Sequence, residues 1–509
     1  MSAAALSAEK PVALNRPMIT ITVMLASILQ ALDNTIANVA LPRMQGSLAA
    51  TQDEMTWVLT SYIVAAAIMT PLSGWLADRY GRKPLFLVSI VGFTLASALC
   101  GMAQSLDQIV LFRVLQGLAG AALIPMSQAV LFDAYPPSQH GRAMSIWGVG
   151  VVLGPTIGPV LGGWLTDNYS WRWVFYINVP FGILAVLGVL AYFPDTKHEK
   201  KKDFDFFGFA MLSIAVGMLQ LFLDRGPVKG WFDAGEIKLE AAVSALAFYL
   251  FFAHTLTAKR PFIRLSLYKD RNFASGSVLM FIVGIVLFAN LALISPMLQG
   301  LMNYSVLQAG MVMAPRGAGT LVAMFLVGRM VGRMDARLII AIGLGLTAFS
   351  LWQMSHFSML MNMRPIISTG LIQGLGTGIA YVPLAALGFA TLPSILRNEA
   401  TALFNLVRNV GSSIGISTVQ GLLVHNTQVL HSDLAAHITP RMLSGHAMGP
   451  LTGIQAATAL NDQVTAQSAF IAYLDDFHLM LIMTVIAAFT LFFVRKAEPS
   501  KAAEHVVLE

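Results

Sequence analysis

Apolar residues run through this chain in long stretches, with polar residues gathered in the short gaps between them. Fourteen stretches approach or exceed the length of about 20 residues that a helix needs to cross a bilayer. They are 18–42, 55–77, 84–104, 107–133, 142–165, 173–194, 206–223, 236–257, 273–300, 306–328, 338–356, 365–392, 400–424 and 477–494. The first is too long for a cleaved signal peptide, contains Asp33 and lacks a small-residue cleavage site. The pattern predicts an all-α membrane protein with fourteen transmembrane helices.

Composition agrees. Of 509 residues, 11% are charged and 56% apolar, against about 25% charged in an ordinary soluble domain. This excludes a soluble enzyme and a disordered chain. The single cysteine, Cys100, excludes an intramolecular disulfide framework and a cysteine-cluster metal site; within an apolar run it reads as a small buried residue. With the N-terminus cytoplasmic, 22 of the 32 Lys and Arg fall on inside segments and 6 on outside ones, while Arg113, Lys238, Arg316 and Arg408 lie within spans. Such asymmetry places both termini in the cytoplasm. It also accounts for the net charge of +6 without any nucleic-acid partner.

The chain repeats itself. Gly74, Arg79 and Lys83 recur in spacing as Gly328, Arg333 and Arg337. Gln116-Gly117-Leu118 returns as Gln373-Gly374-Leu375, and Gly154-Pro155-Thr156-Ile157-Gly158 as Gly411-Ser412-Ser413-Ile414-Gly415. The offsets of 254, 257 and 257 residues carry span 2 onto span 10, span 4 onto 12 and span 5 onto 13. Repeated halves with a substrate site between them are how secondary transporters are built. The division expected is a tail 1–17, a six-helix bundle 18–194, a linker 195–272 with two extra helices, a second bundle 273–494 with a long periplasmic loop 425–476, and a tail 495–509.

The loop after span 2 reads Gly74-Trp75-Leu76-Ala77-Asp78-Arg79-Tyr80-Gly81-Arg82-Lys83-Pro84. Gly74 permits close helix approach, and Gly81 a tight turn. Asp78, Arg79, Arg82 and Lys83 make a charge cluster able to latch two halves. This loop resembles the signature of the major facilitator superfamily. Leu32-Asp33-Asn34-Thr35-Ile36-Ala37-Asn38-Val39-Ala40-Leu41-Pro42, with fourteen spans, resembles the opening motif of the fourteen-helix drug:proton antiporters of EmrB/QacA type. Trp171-Arg172-Trp173-Val174-Phe175-Tyr176-Ile177-Asn178-Val179-Pro180 and Leu223-Asp224-Arg225-Gly226 are similar to the EmrB branch. The likeness covers the membrane region and is weakest in 425–476 and the tails. In span 5, Gly150, Gly154, Gly158 and Gly162, with Gly163, make a smooth helix face, and Pro155 and Pro159 add bends. This stretch resembles the motif associated with antiporters, which implies export.

A charge within the membrane core is costly and reads as functional. Asp33 and Arg113 fall at similar depths, about 13 Å and about 9 Å from the outer ends of their spans at 1.5 Å per residue. Asp33 is the expected proton carrier and Arg113 its modulating partner; Arg113-Val114-Leu115-Gln116-Gly117 resembles the family's motif in the same helix. Arg316 and Arg408 are also intramembrane, with no acidic partner evident in the second half. Gln30, Asn34, Tyr62, Gln116, Gln128, Asn290, Arg316, Gln373, Tyr381, Asn405 and Arg408 are the candidates for a substrate cavity otherwise lined by Met, Phe and Leu. Such an adaptable lining suits varied lipophilic ligands.

No G-x-x-x-x-G-K-[ST] is present, so ATP is not the expected energy source. The spacing of His425, His431 and His437 does not stack on one helix face, so no metal site is expected. The expectation is a non-enzymatic, multi-pass exporter of the bacterial inner membrane. It needs no cofactor and is driven by the proton gradient. Its partners would be protons, membrane lipid and a lipophilic drug, dye or uncoupler. By resemblance, 425–476 would meet a periplasmic adaptor that contacts an outer-membrane channel. The alternative is a dedicated exporter of one metabolite or siderophore.

Overall fold

The computed structural model describes residues 15–55, 57–136, 139–194, 204–331, 333–393, 396–438 and 454–494. The tail 1–14, the linker segment 195–203, residues 439–453 and the tail 495–509 lie outside the described residues.

Each predicted stretch falls on a helix. The first half comprises α1 (Arg16–Leu48), α2 (Trp57–Tyr80), α3 (Arg82–Met102), α4 (Leu106–Ala134), α5 (His140–Asn168) and α6 (Trp173–Tyr192). An inserted hairpin follows, α7 (Phe206–Lys229) and α8 (Gly235–Thr257). The second half comprises α9 (Arg271–Pro296), α10 (Val306–Met330), α11 (Ala336–Met354), α12 (Met363–Phe389), α13 (Arg397–Ala436) and α14 (Ile454–Thr490). Twelve of these contain a segment long and apolar enough to cross a membrane, and α5 makes thirteen if its two bent parts form one span. That bend is 40° and falls between Pro155 and Val160, where proline removes backbone donors.

The packing repeats with an offset of eight helices. In the first half α1 packs on α5 and α6, α2 on α4, and α3 on α4 and α6; in the second α9 packs on α13 and α14, α10 on α12, and α11 on α12 and α14. The halves meet through α2 with α13 and α5 with α10, which are images of one another under the same offset. The inserted α7 packs on α2 and α13 together, covering one of these two seams.

Glycine makes the close approaches possible. Along α5, a Cβ at Gly154 would lie 2.7 Å from Ala31 and Leu32 backbone atoms of α1, and one at Gly158 would lie 2.3 Å from the Thr35 hydroxyl. Without a hydrophobic drive between helices in lipid, such contact supplies the packing energy.

The far end of the second half differs from expectation. Segment 425–476 is not a loop throughout: among its described residues, α13 continues to Ala436 and α14 begins at Ile454. Polar residues there prolong two long helices, because helical backbone bonds do not require an apolar environment. Residues 439–453, the part between them, lie outside the described residues.

Candidate functional site: a buried ion pair and a latch between halves

Asp33, on α1, is fully buried, and Arg113, on α4, is 1% exposed. Arg113 Nη1 donates to Asp33 Oδ2 at 2.6 Å. Further bonds surround the pair. Asp33 Oδ1 accepts from Gln116 Nε2 at 2.8 Å and Asn178 Nδ2 at 3.1 Å. Arg113 Nε donates to the Val58 carbonyl at 2.9 Å and Nη1 to Gln116 Oε1 at 2.8 Å. The guanidinium also lies 4.2 Å from the Tyr62 ring centre, and Ser97 Oγ accepts from Asn178 Nδ2. Five helices, α1, α2, α3, α4 and α6, thus converge on one carboxylate–guanidinium pair. A pair this dry persists only when its hydrogen bonds are filled. Asn178 and Ser97 were not singled out from sequence, although Asn178 lies inside the quoted motif 171–180.

The second half answers with neutral groups. Arg316 Nη1 donates to Asn290 Oδ1 at 2.7 Å and Nη2 to the Leu287 carbonyl at 3.3 Å. Arg408 donates to Tyr381 Oη at 3.0 Å and to Asn409 Oδ1. Gln373 is fully buried, with neither amide atom bonded. Gln30 Oε1 accepts from Ile124 N at 3.3 Å, and Asn34 is exposed on α1. An acid does exist in this half: Asp476, on α14, is 1% exposed. By hydropathy it falls at the end of the expected outside loop 425–476.

The halves are joined at the face carrying the α2–α3 turn. Gly81 makes that turn at φ +90°, a value that favours glycine. A Cβ on Gly74 would lie 3.1 Å from the Asn398 carbonyl oxygen, so α2 and α13 touch backbone to backbone. Asn398 Nδ2 donates to Asp78 at 2.6 Å. Arg82 donates to Asp133, which also accepts from Arg397 of the other half at 3.4 Å. Arg79 lies 4.9 Å from the Trp75 ring centre. Deeper in, Asn405 Nδ2 donates to Gln128 Oε1 at 2.7 Å, and the rings of Phe132 and Phe389 lie 5.3 Å apart. Gln128 and Asn405 therefore close this face by bonding each other. Asp133, Arg397 and Asn398, the partners of the motif, were not singled out from sequence because none belongs to a recognisable local pattern.

At the second seam the contact is steric. A Cβ at Gly141 would lie 2.2 Å from Val331, one at Gly148 would lie 2.8 Å from the Met324 sulfur, and Gly328 faces Ser145. On α5, Gly150 faces Met24 and Ile28, Gly162 faces Ile36, and Gly163 has only Val39 at 3.7 Å. The glycine face thus packs on α1, the helix that carries Asp33.

Two pseudo-equivalent six-helix halves, a buried charge pair and an interdomain latch define a secondary-transporter architecture. Residues 23–416 match the Major Facilitator Superfamily, and the chain belongs to that family, in its EmrB branch. It is 34% identical to the multidrug export protein EmrB of Haemophilus influenzae, over 91% of this chain and 92% of that one. It is also 34% identical to the fatty acid resistance protein FarB of Neisseria gonorrhoeae, over 84% and 85% of the two chains. Among solved structures, the human organic anion transporter MFSD10 superposes with a TM-score of 0.63 at 14% identity, covering 92% of this chain and 99% of that one. At that identity the likeness concerns fold alone.

Proposed function

We propose that the protein is a proton-coupled exporter of lipophilic drugs, dyes or uncouplers in the bacterial inner membrane. The observation that carries this is the sealed Asp33–Arg113 pair. Protonating Asp33 cancels its charge and weakens its 2.6 Å bond to Arg113. Arg113 then turns to its remaining acceptors, Gln116 and the Val58 carbonyl. Because Gly154, Gly158 and Gly162 seat α5 directly on α1, a shift of α1 is transmitted to α5 and so to the α5–α10 seam. The proton gradient supplies the energy, and no cofactor takes part.

Positive-inside charge assigns the face of the α2–α3 turn to the cytoplasm. The conformation described is then closed inward, held by Asp78–Asn398 and Asp133–Arg397. The extended ends of α13 and α14 would project outward, where a periplasmic adaptor could dock and connect the pump to an outer-membrane channel. Replacing 425–436 and 454–475 with a short turn should abolish resistance and spare transport into vesicles; unchanged resistance would remove the adaptor role.

The coupling test is drug-triggered proton release from inside-out vesicles, comparing the intact protein with a folded Asp33→Asn variant. Release lost in the variant supports the assignment; equal release from both moves the carrier elsewhere. A narrower substrate range is the second reading. It is favoured by Arg316 and Arg408, two buried cations whose hydrogen-bond partners among the described residues are all neutral, and by the FarB relative. A compound screen that finds one exported ligand would select it.

A further inference from the structure

We propose that Asp476 is a second proton-binding site, located in the half of the molecule opposite Asp33. The proposal rests on the proton-coupled reading and adds a site to it. Asp476 is 1% exposed, and its Oδ2 has no hydrogen-bond partner. On α14 it shares a helix face with Ala472, Tyr473 and Met480, three or four residues away and all buried. Tyr473, Phe477 and Met480 belong to an apolar cluster with Leu293 and Met297 from the α9 side, Met354 of α11, Phe357 and Val419 of α13.

Among the described residues, the surroundings offer no compensating cation. Among the described residues, Asp476 forms no ion pair. The titratable neighbours on α14 are Tyr473 in the cluster, and Asp475 and His478, both exposed. Just beyond α11, His356 is exposed and bonded to the Trp352 carbonyl. From α13, His425 is exposed, His431 is bonded to Asn461, and Arg408 is engaged with Tyr381 and Asn409. The turn-face ends of α9 and α11 carry Arg271 and Arg337, far along the helices from this cluster.

An ionised carboxylate without a partner is expensive in such a place, whereas the neutral acid is tolerated. Asp33 differs: both of its oxygens accept hydrogen bonds, one of them from the Arg113 guanidinium. The two halves therefore hold two buried carboxyl groups in opposite surroundings, one paired with a guanidinium and one with an unbonded oxygen and no ion pair among the described residues. Asp476 takes its proton from water at the far face and releases it there or inward when α14 parts from α9 and α11.

The test uses the full-length purified protein and dicyclohexylcarbodiimide, which reacts with protonated carboxyls in apolar surroundings. Peptide mapping should find the adduct on Asp476 and not on Asp33 or Asp475. The adduct should fall about tenfold per pH unit once the group ionises. Asp476→Glu should retain it and Asp476→Asn abolish it, with folding of each checked by size-exclusion chromatography. Absence of the adduct from intact Asp476 at every pH where the protein is folded would overturn the site. In proteoliposomes, Asp476→Asn should lower the number of protons moved per substrate and flatten the pH profile. An unchanged count and profile would overturn its role in coupling. If the intact protein moves no protons with any substrate, the antiport reading fails, and the adduct alone then decides whether Asp476 binds a proton.

Discussion

Removing either member of the Asp33–Arg113 pair strands the other inside a bundle that excludes water. In Asp33→Asn, Arg113 keeps the Val58 carbonyl at 2.9 Å and Gln116 Oε1 at 2.8 Å, but no anion. Uncompensated buried charge of this kind costs about 3–5 kcal/mol. In Arg113→Gln, Asp33 keeps two donors, Gln116 at 2.8 Å and Asn178 at 3.1 Å. Hydrogen bonds to a charged group contribute about 1.5–3 kcal/mol each, so this variant should suffer less than Asp33→Asn. Combining the two removes both charges and leaves an amide network. The double variant should therefore be more stable than the sum of the singles predicts, by about 0.5–3 kcal/mol. Thermal unfolding in detergent, followed by tryptophan fluorescence, measures all four corners of the cycle. Additive losses, or an Asp33→Asn variant as stable as the intact protein, would show that the two charges do not depend on each other.

Three further outcomes follow from the packing. A Cβ at Gly154 would meet the α1 backbone at 2.7 Å, whereas one at Gly163 meets only Val39 at 3.7 Å. Gly154→Ala should destabilise by about 1–3 kcal/mol and Gly163→Ala by less than about 0.5 kcal/mol, as read by thermal unfolding. Asn398→Ala deletes the 2.6 Å bond to Asp78 and should shift the population toward an open turn face by about 10- to 100-fold. Alkylation of a cysteine placed at Ala129, with the single native Cys100 replaced, measures that shift; unchanged alkylation would mean the latch lies elsewhere. Asp205 caps α7 at Gly208 and also accepts from Phe262 N and His254. Burial alone would raise its carboxyl, but these bonds outweigh burial and hold it below the ordinary carboxylate range. The cap's contribution is then full above the ordinary carboxylate pKa and is lost as pH falls through the lowered folded value. Hydrogen exchange at the Gly208 and Phe262 amides should accelerate only on acidification past that point, and in Asp205→Asn it should be fast already at neutral pH.

Much of this architecture is legible in the sequence because a bilayer imposes a length. Each of the fourteen apolar stretches lies on a helix, twelve or thirteen of these helices being long and apolar enough to cross a membrane, and three short matches anticipated the eight-helix offset in packing. The Asp33–Arg113 pair was legible for the same reason: charge inside a span has few explanations. What was hidden depends on contacts between distant segments. Nothing local marks Asp133, Arg397 and Asn398 as partners of the 74–83 motif, and Asn178 sits among aromatic residues near a span end. Asp476 was hidden differently. Hydropathy begins the last span at 477, but α14 runs unbroken from Ile454, and burial follows the bundle's packing instead of the apolar run.

The repeat is most degenerate where the chemistry is. Asp33 and Asn290 are separated by 257 residues, the same offset that relates Gln116 to Gln373. Arg113 at that offset falls on Gly370, and the second half instead places a guanidinium on α10, where Arg316 bonds Asn290. Backbone geometry has been kept: Gly374 admits the Arg316 carbonyl much as Gly117 admits the Tyr62 carbonyl. The carboxylate has not. Two fully charged copies would require two desolvated ion pairs, each stable only with every hydrogen bond filled. One charged copy and one neutral copy give the halves different responses to a proton while preserving the shared packing. On the proposed coupling, protonation at Asp33 would perturb α1 and its contact with α5 without an equivalent event on α9. A proton-driven rocking motion between otherwise similar halves would need such a bias, and the difference between Asp33 and Asn290 is where this chain could supply it.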